Sequence, residues 1–118
     1  MNFSIGMDMT ELCRIECSIK SERFIRRVFG AQELEYFESK NMPVPSMAAA
    51  FAAKEAFGKA LGTGISGFSL NEVQLLHLES GKPYLALSGQ ALELAQGRNF
   101  DVSVTHTDTC AAAVVIAF

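Results

Sequence analysis

The chain has 118 residues, 49% of them hydrophobic, 19% charged and 9% aromatic, which fits one globular domain over residues 1–118 and excludes a disordered segment or a pair of domains. Ten Lys and Arg against thirteen Asp and Glu leave a net charge of −3, a balance that argues against a nucleic-acid binder. No apolar run approaches the roughly 18 residues of a membrane span, because residues 47–53 stop at Lys54 and Glu55.

Residues 2–10 alternate, with Phe3, Ile5, Met7 and Met9 on one side and Ser4, Gly6, Asp8 and Thr10 on the other. This predicts a half-buried strand whose apolar side packs, leaving Asp8 turned away near its C-terminal end. Residues 11–39 carry apolar positions at mixed spacings of three and four and read as short helices broken at Gly30. Pro43 and Pro45 mark a loop, after which Ser46 is expected to cap a helix running to Leu61 and stopped by Gly62. From Phe68 onward, Val73, Leu75 and Leu78 suggest a strand, residues 79–82 a turn, and residues 83–87 the hairpin partner. Residues 88–96 read as a helix stopped at Gly97. Val102 and Val104 then alternate with Ser103 and Thr105, residues 107–109 form a polar turn, and residues 110–118 read as a strand buried on both faces. This order predicts an α+β domain with a mainly antiparallel sheet packed with helices.

On the long helix Phe51, Glu55 and Lys59 recur every four residues, so a carboxylate and an ammonium share one face. The same spacing is also that of an ordinary stabilising ion pair. Past the helix, Gly62-Thr63-Gly64-Ile65-Ser66-Gly67 is a glycine-rich loop that can bring backbone N–H groups close to a phosphate. It is not a Walker A loop, since the lysine precedes the glycines, nor a dinucleotide fingerprint. With Asp8 as a second carboxylate, the set suits Mg²⁺ and phosphates. His106 shares the parity of Val102 and Val104, so it reads either as a core histidine or as a site residue, while His77 reads as surface. Cys13 and Cys17 lack the neighbours of a zinc site, and an odd total of three cysteines without a CxxC points to a reducing, cytoplasmic setting. Arg14, Lys20, Arg23, Arg26 and Arg27 gather half of the ten basic residues into one segment. That segment is either a solvated face or a dock for an acidic partner.

Taken together, these segments resemble the holo-acyl-carrier-protein synthases, the small 4′-phosphopantetheinyl transferases. Ile5-Gly6-Met7-Asp8-Met9 with Arg14-Ile15-Glu16 is similar to the family's opening motif. The run from Phe51 through Lys54-Glu55-Ala56 and Lys59 to Gly62-Thr63-Gly64 is similar to its most specific one, and Gly81-Lys82-Pro83 and Ser103-Val104-Thr105-His106-Thr107 follow in the expected order. The resemblance implies transfer of the phosphopantetheinyl group from coenzyme A to a serine of an acyl carrier protein, releasing adenosine 3′,5′-bisphosphate, in the service of fatty-acid biosynthesis. It implies Asp8 and Glu55 as Mg²⁺ ligands, and Lys59 as the cation for the departing phosphate. It further implies that Gly62, Thr63 and Gly64 line the coenzyme pocket and that His106 and Thr107 lie against the coenzyme. Arg14, Arg23, Arg26 and Arg27 would meet the carrier protein, with Arg23 and Arg27 on one face and Arg26 turned aside. The resemblance also implies a homotrimer with its sites at subunit interfaces. One position departs: where family members commonly carry an arginine ahead of the helix aromatic, this chain has Ala50, which predicts weaker coenzyme binding. The alternative is a coenzyme A or carrier-protein binding module of the same fold with weak or lost turnover.

Overall fold

A computed structural model describes residues 2–118; Met1, included in the one-domain expectation, lies outside the described residues. The element order is β1 (Ser4–Glu11), α1 (Leu12–Ser18), α2 (Glu22–Val28), α3 (Ala31–Ser39), α4 (Val44–Leu61), β2 (Val73–His77), β3 (Pro83–Leu87), α5 (Gly89–Ala95), β4 (Phe100–His106) and β5 (Cys110–Ala117). A 3-10 turn at Leu70–Glu72 precedes β2. The expected α+β architecture is present as two antiparallel sheets, a three-stranded one in the order β1-β5-β4 and the separate hairpin β2-β3.

Helix α4 is the axis of the molecule. Pro43 in extended conformation precedes it and Gly62, at φ 83°, ends it, so the N-cap lies three residues ahead of the expected Ser46. Proline suits this first turn because the N–H it lacks would be unpaired there anyway. Alanines fill most of its surface and let other elements approach closely. Packing on it are β1 and β5 of the larger sheet, α1, and β2 of the hairpin. Phe57 and Met47 are enclosed, as are Ile15 of α1, Phe37 of α3 and Phe29 between α2 and α3. Phe29 and Phe37 meet edge to face at 5.3 Å, and each such burial contributes roughly 1.5–3 kcal/mol.

Strand β1 turns the opposite way from the sequence expectation. Gly6 and Thr10 are buried and Asp8 is largely covered, whereas Phe3, Ile5, Met7 and Met9 are 63–66% exposed. The cause is volume. A Cβ on Gly6 would lie 2.1 Å from the Ala56 carbonyl oxygen and 2.5 Å from the Ala60 nitrogen, so only the small-residue side of β1 can lie on α4. Ser4 adds a hydrogen bond from its hydroxyl to the Ala60 carbonyl at 2.6 Å. Asp8 therefore points toward α4 rather than away from the packed face.

Other expectations need smaller corrections. The three short helices before α4 are present, with Gly30 at the start of α3. The segment from Phe68 becomes a strand only at Val73, because Ser69 and Glu72 close the 3-10 turn through a bond from the Ser69 N–H to the Glu72 carboxylate. Strand β5 buries one face completely, Ala111, Ala113, Val115 and Ala117, while Ile116 on the other is exposed. His77 is not free surface: its ring stacks on Tyr36 at 4.9 Å. His106 is exposed at the end of β4, which removes the core-histidine reading.

Candidate active site

Because β1 lies small side down on α4, Asp8 reaches the helix where Glu55 and Lys59 emerge. The Lys59 ammonium donates to Asp8 Oδ1 at 3.1 Å and to the Met7 carbonyl at 3.0 Å. Asp8 is the more covered partner, with 15% of its side chain exposed against 53% for Lys59. Thr10 Oγ1 points back at Asp8 Oδ2, 3.5 Å away. Burial holds the Glu55 carboxyl above its ordinary range, the negative charge of Asp8 raises it further, and Arg14 and Lys59 partly offset both. Two carboxylates facing one another with too little positive charge between them are a donor set suited to a hard divalent cation. No cluster of three or more His, Cys, Asp or Glu occurs among the described residues. A pair of carboxylates is as many protein donors as Mg²⁺ commonly takes when substrate phosphates complete its shell.

A cavity of about 740 Å³ opens beside this cluster, between α2, α4 and the segment leading to β2. Ser21, Arg23, Phe24, Arg27, Phe51 and Ile65 are among its walls. None of Asp8, Glu55 and Lys59 lines it. The link is Phe51, one helical turn before Glu55, over whose ring the Arg14 guanidinium sits at 5.2 Å. Arg14 thus belongs to the carboxylate cluster as well as to the basic surface. Arg23 and Arg27 both face the cavity, whereas Arg26 turns to Glu22 in an exposed ion pair at 3.1 Å, the division that the helical spacing anticipates.

The glycine-rich loop is arranged differently from expectation. The Gly62 N–H donates to the Lys59 carbonyl, and those of Thr63 and Gly64 both donate to the Gly58 carbonyl at 3.0–3.1 Å. These amides cap the C-terminus of α4 and are spent on its free carbonyls. They form no anion nest. Gly58 makes the fold-back possible, since a Cβ there would come within 2.0 Å of the Gly64 carbonyl oxygen. The positive charge near this helix end is Lys59 itself.

His106 and Thr107 lie apart from the cluster. His106 pairs with Ala111 on β5, two strands from β1. The Thr107 hydroxyl accepts from the N–H groups of Thr109 and Cys110 at 3.3 and 3.1 Å, fixing the turn. Among the described residues no hydrogen bond or ion pair joins either to Asp8, Glu55 or Lys59. Ala50 is wholly enclosed, so an arginine side chain at this position would have to displace its surroundings to reach solvent.

One pair went unrecognised in the sequence. Glu33 and Lys54 are both 0% exposed and bonded at 2.6 Å. Lys54 stands inside the apolar stretch of α4, with Ala50, Phe51, Phe57 and Gly58 within a turn on either side. That was the available signal: a lone lysine among core positions requires a buried counter-charge.

Comparison with known proteins gives the family. Residues 4–115 match the family described as the 4′-phosphopantetheinyl transferase superfamily. The chain is 42% identical over 120 residues to a holo-[acyl-carrier-protein] synthase of Treponema denticola, with 98% of each chain covered. It is 40% identical over 121 residues to one from Thermoanaerobacter sp., with 99% of this chain and 88% of the relative covered. The crystal structure of the Neisseria meningitidis holo-[acyl-carrier-protein] synthase superposes with a TM-score of 0.86 at 35% identity, covering 98% of this chain and 97% of that one. The Helicobacter pylori synthase in complex with coenzyme A gives 0.85 at 28% identity, covering 97% and 99%.

The chain belongs to the 4′-phosphopantetheinyl transferase superfamily, and within it to the holo-acyl-carrier-protein synthases. It is an enzyme, a phosphopantetheinyl transferase.

Proposed function

We propose that this transferase moves the 4′-phosphopantetheinyl group of coenzyme A to a serine hydroxyl of an apo acyl carrier protein, in a Mg²⁺-dependent reaction that releases adenosine 3′,5′-bisphosphate. The observation that carries the reading is the convergence of Asp8, Glu55 and Lys59 one helical turn from a cavity with Phe24, Phe51, Arg23 and Arg27 on its walls. The new bond joins the serine oxygen to the β-phosphorus as the serine O–H and the pyrophosphate P–O bonds break; the leaving bisphosphate takes the P–O electron pair and the serine proton is released to solvent. Catalysis of such a displacement is chiefly positioning and charge neutralisation. Asp8 and Glu55 would hold the metal ion, which supplies positive charge to the pyrophosphate when bound. Burial, and after it the negative charge of Asp8, raises the proton affinity of Glu55, and a cation held by these carboxylates would relieve the repulsion part of that. Lys59, half exposed and anchored through Asp8 and the Met7 carbonyl, presents its charge to the departing phosphate. Thr63 and the glycines beside it would line the coenzyme site by close approach rather than by N–H donation.

The exposed arginines of α1 and α2 suit an acidic carrier protein, with Arg23 and Arg27 at the cavity and Arg26 beyond it. The outer face of β1 supports a homotrimer. Ile5 pairs with Ile116, Met7 with Val114 and Met9 with Ala112, which makes a continuous apolar stripe of the kind that marks an interaction surface. It borders Asp8 on the same strand, so a neighbouring copy seated there would also border the site. His106 and Thr107, which make no hydrogen bond to Asp8 among the described residues, fit a site completed across such a boundary. No described helix is long and apolar enough to cross a membrane, and the exposed thiols of Cys13 and Cys17 accord with the reducing cytoplasm, where fatty-acid synthesis would use the product.

The test is mass spectrometry of apo acyl carrier protein incubated with this enzyme, coenzyme A and Mg²⁺, against an EDTA control. The expected result is a metal-dependent gain of about 340 Da, the mass of one phosphopantetheinyl group moved by in-line transfer. A folded protein that binds coenzyme A but modifies no carrier would instead favour the binding-module reading, for which Ala50 is the specific observation.

A further inference from the structure

We infer that Arg14 is a positioning residue that couples carrier docking to metal binding: with no carrier present its guanidinium lends positive charge to Glu55, and a carboxylate of the docking carrier takes that charge away, so that Asp8 and Glu55 hold their cation more tightly once the carrier is seated. This rests on the reading of the protein as a Mg²⁺-dependent transferase whose basic helices receive an acidic carrier.

Arg14 stands where the two surfaces meet. It belongs to α1, which packs on α4, and it is exposed. Its guanidinium lies 5.2 Å from the centre of the Phe51 ring. Phe51 is at once a wall of the cavity that Arg23 and Arg27 face and the residue one helical turn before Glu55. Of the arginines in the basic segment, Arg14 alone is among the charges that act on Glu55.

Its donors are uncommitted. Among the described residues Arg26 pairs with Glu22 and Arg98 donates to the Ala117 carbonyl, whereas Arg14 makes no ion pair and no side-chain hydrogen bond. A ring face holds a cation without using its N–H groups, so the planar fork of Arg14 stays open to a carboxylate, which it can bind through two parallel bonds. Lys59 differs, because its bonds to Asp8 and to the Met7 carbonyl keep it in the cluster.

The charges set the direction of the coupling. Burial and Asp8 raise the proton affinity of Glu55, and of the two cations that lower it Arg14 has the larger effect. A cation beside Glu55 favours its charged form but repels an incoming metal ion. A carrier carboxylate on Arg14 cancels that repulsion and leaves Asp8 and Glu55 with an excess of negative charge, which a divalent cation balances. By linkage the metal must improve carrier binding by the same factor. The cation is then held firmly only when the acceptor is in place.

The test measures two affinities, with coenzyme A present throughout and the carrier's acceptor serine replaced by alanine so that nothing turns over. Mg²⁺ binding is followed by calorimetry and carrier binding by the anisotropy of a labelled carrier, with and without Mg²⁺. Without carrier, Arg14→Gln should bind Mg²⁺ about fivefold more tightly than the wild type, the lower end of coupling between sites in proteins, and Arg14→Lys, which keeps the charge, should bind it as the wild type does. Mg²⁺ should tighten the wild type's hold on the carrier by about the same factor. Arg14→Gln should bind the carrier more weakly and without regard to Mg²⁺. Arg23→Gln should also bind it more weakly yet keep the Mg²⁺ effect. An arginine that only docks the carrier predicts unchanged Mg²⁺ affinity in Arg14→Gln and the same Mg²⁺ effect on carrier binding as in the wild type; either result overturns the proposal, as does an Arg23→Gln enzyme that loses the effect. A wild type that binds no Mg²⁺ and transfers nothing to the native carrier refutes the transferase reading and the coupling with it. A wild type that transfers, but whose two affinities are independent, refutes the coupling alone.

Discussion

The contact of β1 with α4 should be the most sensitive element of the site, and Gly6→Ala isolates it. The added methyl would sit 2.1 Å from the Ala56 carbonyl oxygen, 2.5 Å from the Ala60 nitrogen and 2.9 Å from the Lys59 Cβ. The first two are helix backbone and cannot swing aside. Restoring van der Waals contact requires β1 to retreat by roughly 1 Å, an overpacking cost of about 1–3 kcal/mol. Asp8 is two residues along on the same side of the strand, so the retreat carries its carboxylate with it and opens the 3.1 Å bond to Lys59. A displacement of that size at reacting groups costs on the order of 100-fold in rate. The assay is the initial rate of coenzyme-dependent mass gain on apo carrier protein, with thermal midpoints measured in parallel. Ser4→Ala is the control: it removes the hydrogen bond to the Ala60 carbonyl, about 1 kcal/mol, without pushing the strand. We expect Ser4→Ala to lose stability and keep its rate, and Gly6→Ala to lose both. A Gly6→Ala enzyme with the rate of the wild type would refute the coupling of strand position to catalysis.

Two further outcomes follow from the same geometry. Glu55→Gln should abolish metal-dependent transfer yet leave the metal-free protein at least as stable near neutrality. Burial and Asp8 raise the folded carboxyl above its unfolded value, so as pH rises through that window the native chain holds a proton the unfolded chain has already released. Its contribution to stability is therefore present at low pH and lost as pH rises. The wild type should show that loss in pH-dependent melting and be stabilised by Mg²⁺, by roughly 2.7 kcal/mol at a hundredfold excess over Kd; Glu55→Gln should show neither, and a Mg²⁺-stabilised Glu55→Gln would remove Glu55 from the metal site. Ile5→Asp, on the exposed side of β1, should convert a three-chain assembly to monomers in light scattering without unfolding the chain, and a wild type that is itself monomeric would refute the trimer.

How far the sequence was legible depends on whether the deciding physics was local. Helix α4 was readable because Pro43, Pro45 and Gly62 punctuate it, and each acts on its own few residues. The split of Arg23 and Arg27 from Arg26 follows from helical spacing alone, and the structure keeps it. The Glu33–Lys54 pair was hidden because its members are 21 positions apart: Lys54 among core positions called for a buried counter-charge, but nothing local to it pointed to Glu33. The loop after α4 was misjudged for a related reason: glycine freedom allows an anion nest and a helix cap equally, and the unpaired carbonyls of α4, including Gly58, claimed the amides first.

Strand β1 is the most instructive misreading, because its alternation was real and its meaning was reversed. A period of two says that the faces differ, not which one meets the rest of the same chain. Polarity pointed Phe3, Ile5, Met7 and Met9 inward, but the surface available to them is a helix with Ala56 and Ala60 at the contact, whose backbone comes too close for any side chain at position 6. Close approach selects for small volume. Ser4, Gly6 and Thr10 satisfy that condition, and Asp8 among them is thereby delivered to Glu55 and Lys59. The large apolar side chains are left outside, where burying them falls to another molecule. Under the trimer proposal, the inversion that creates the carboxylate cluster also creates the surface that brings a second chain to its edge.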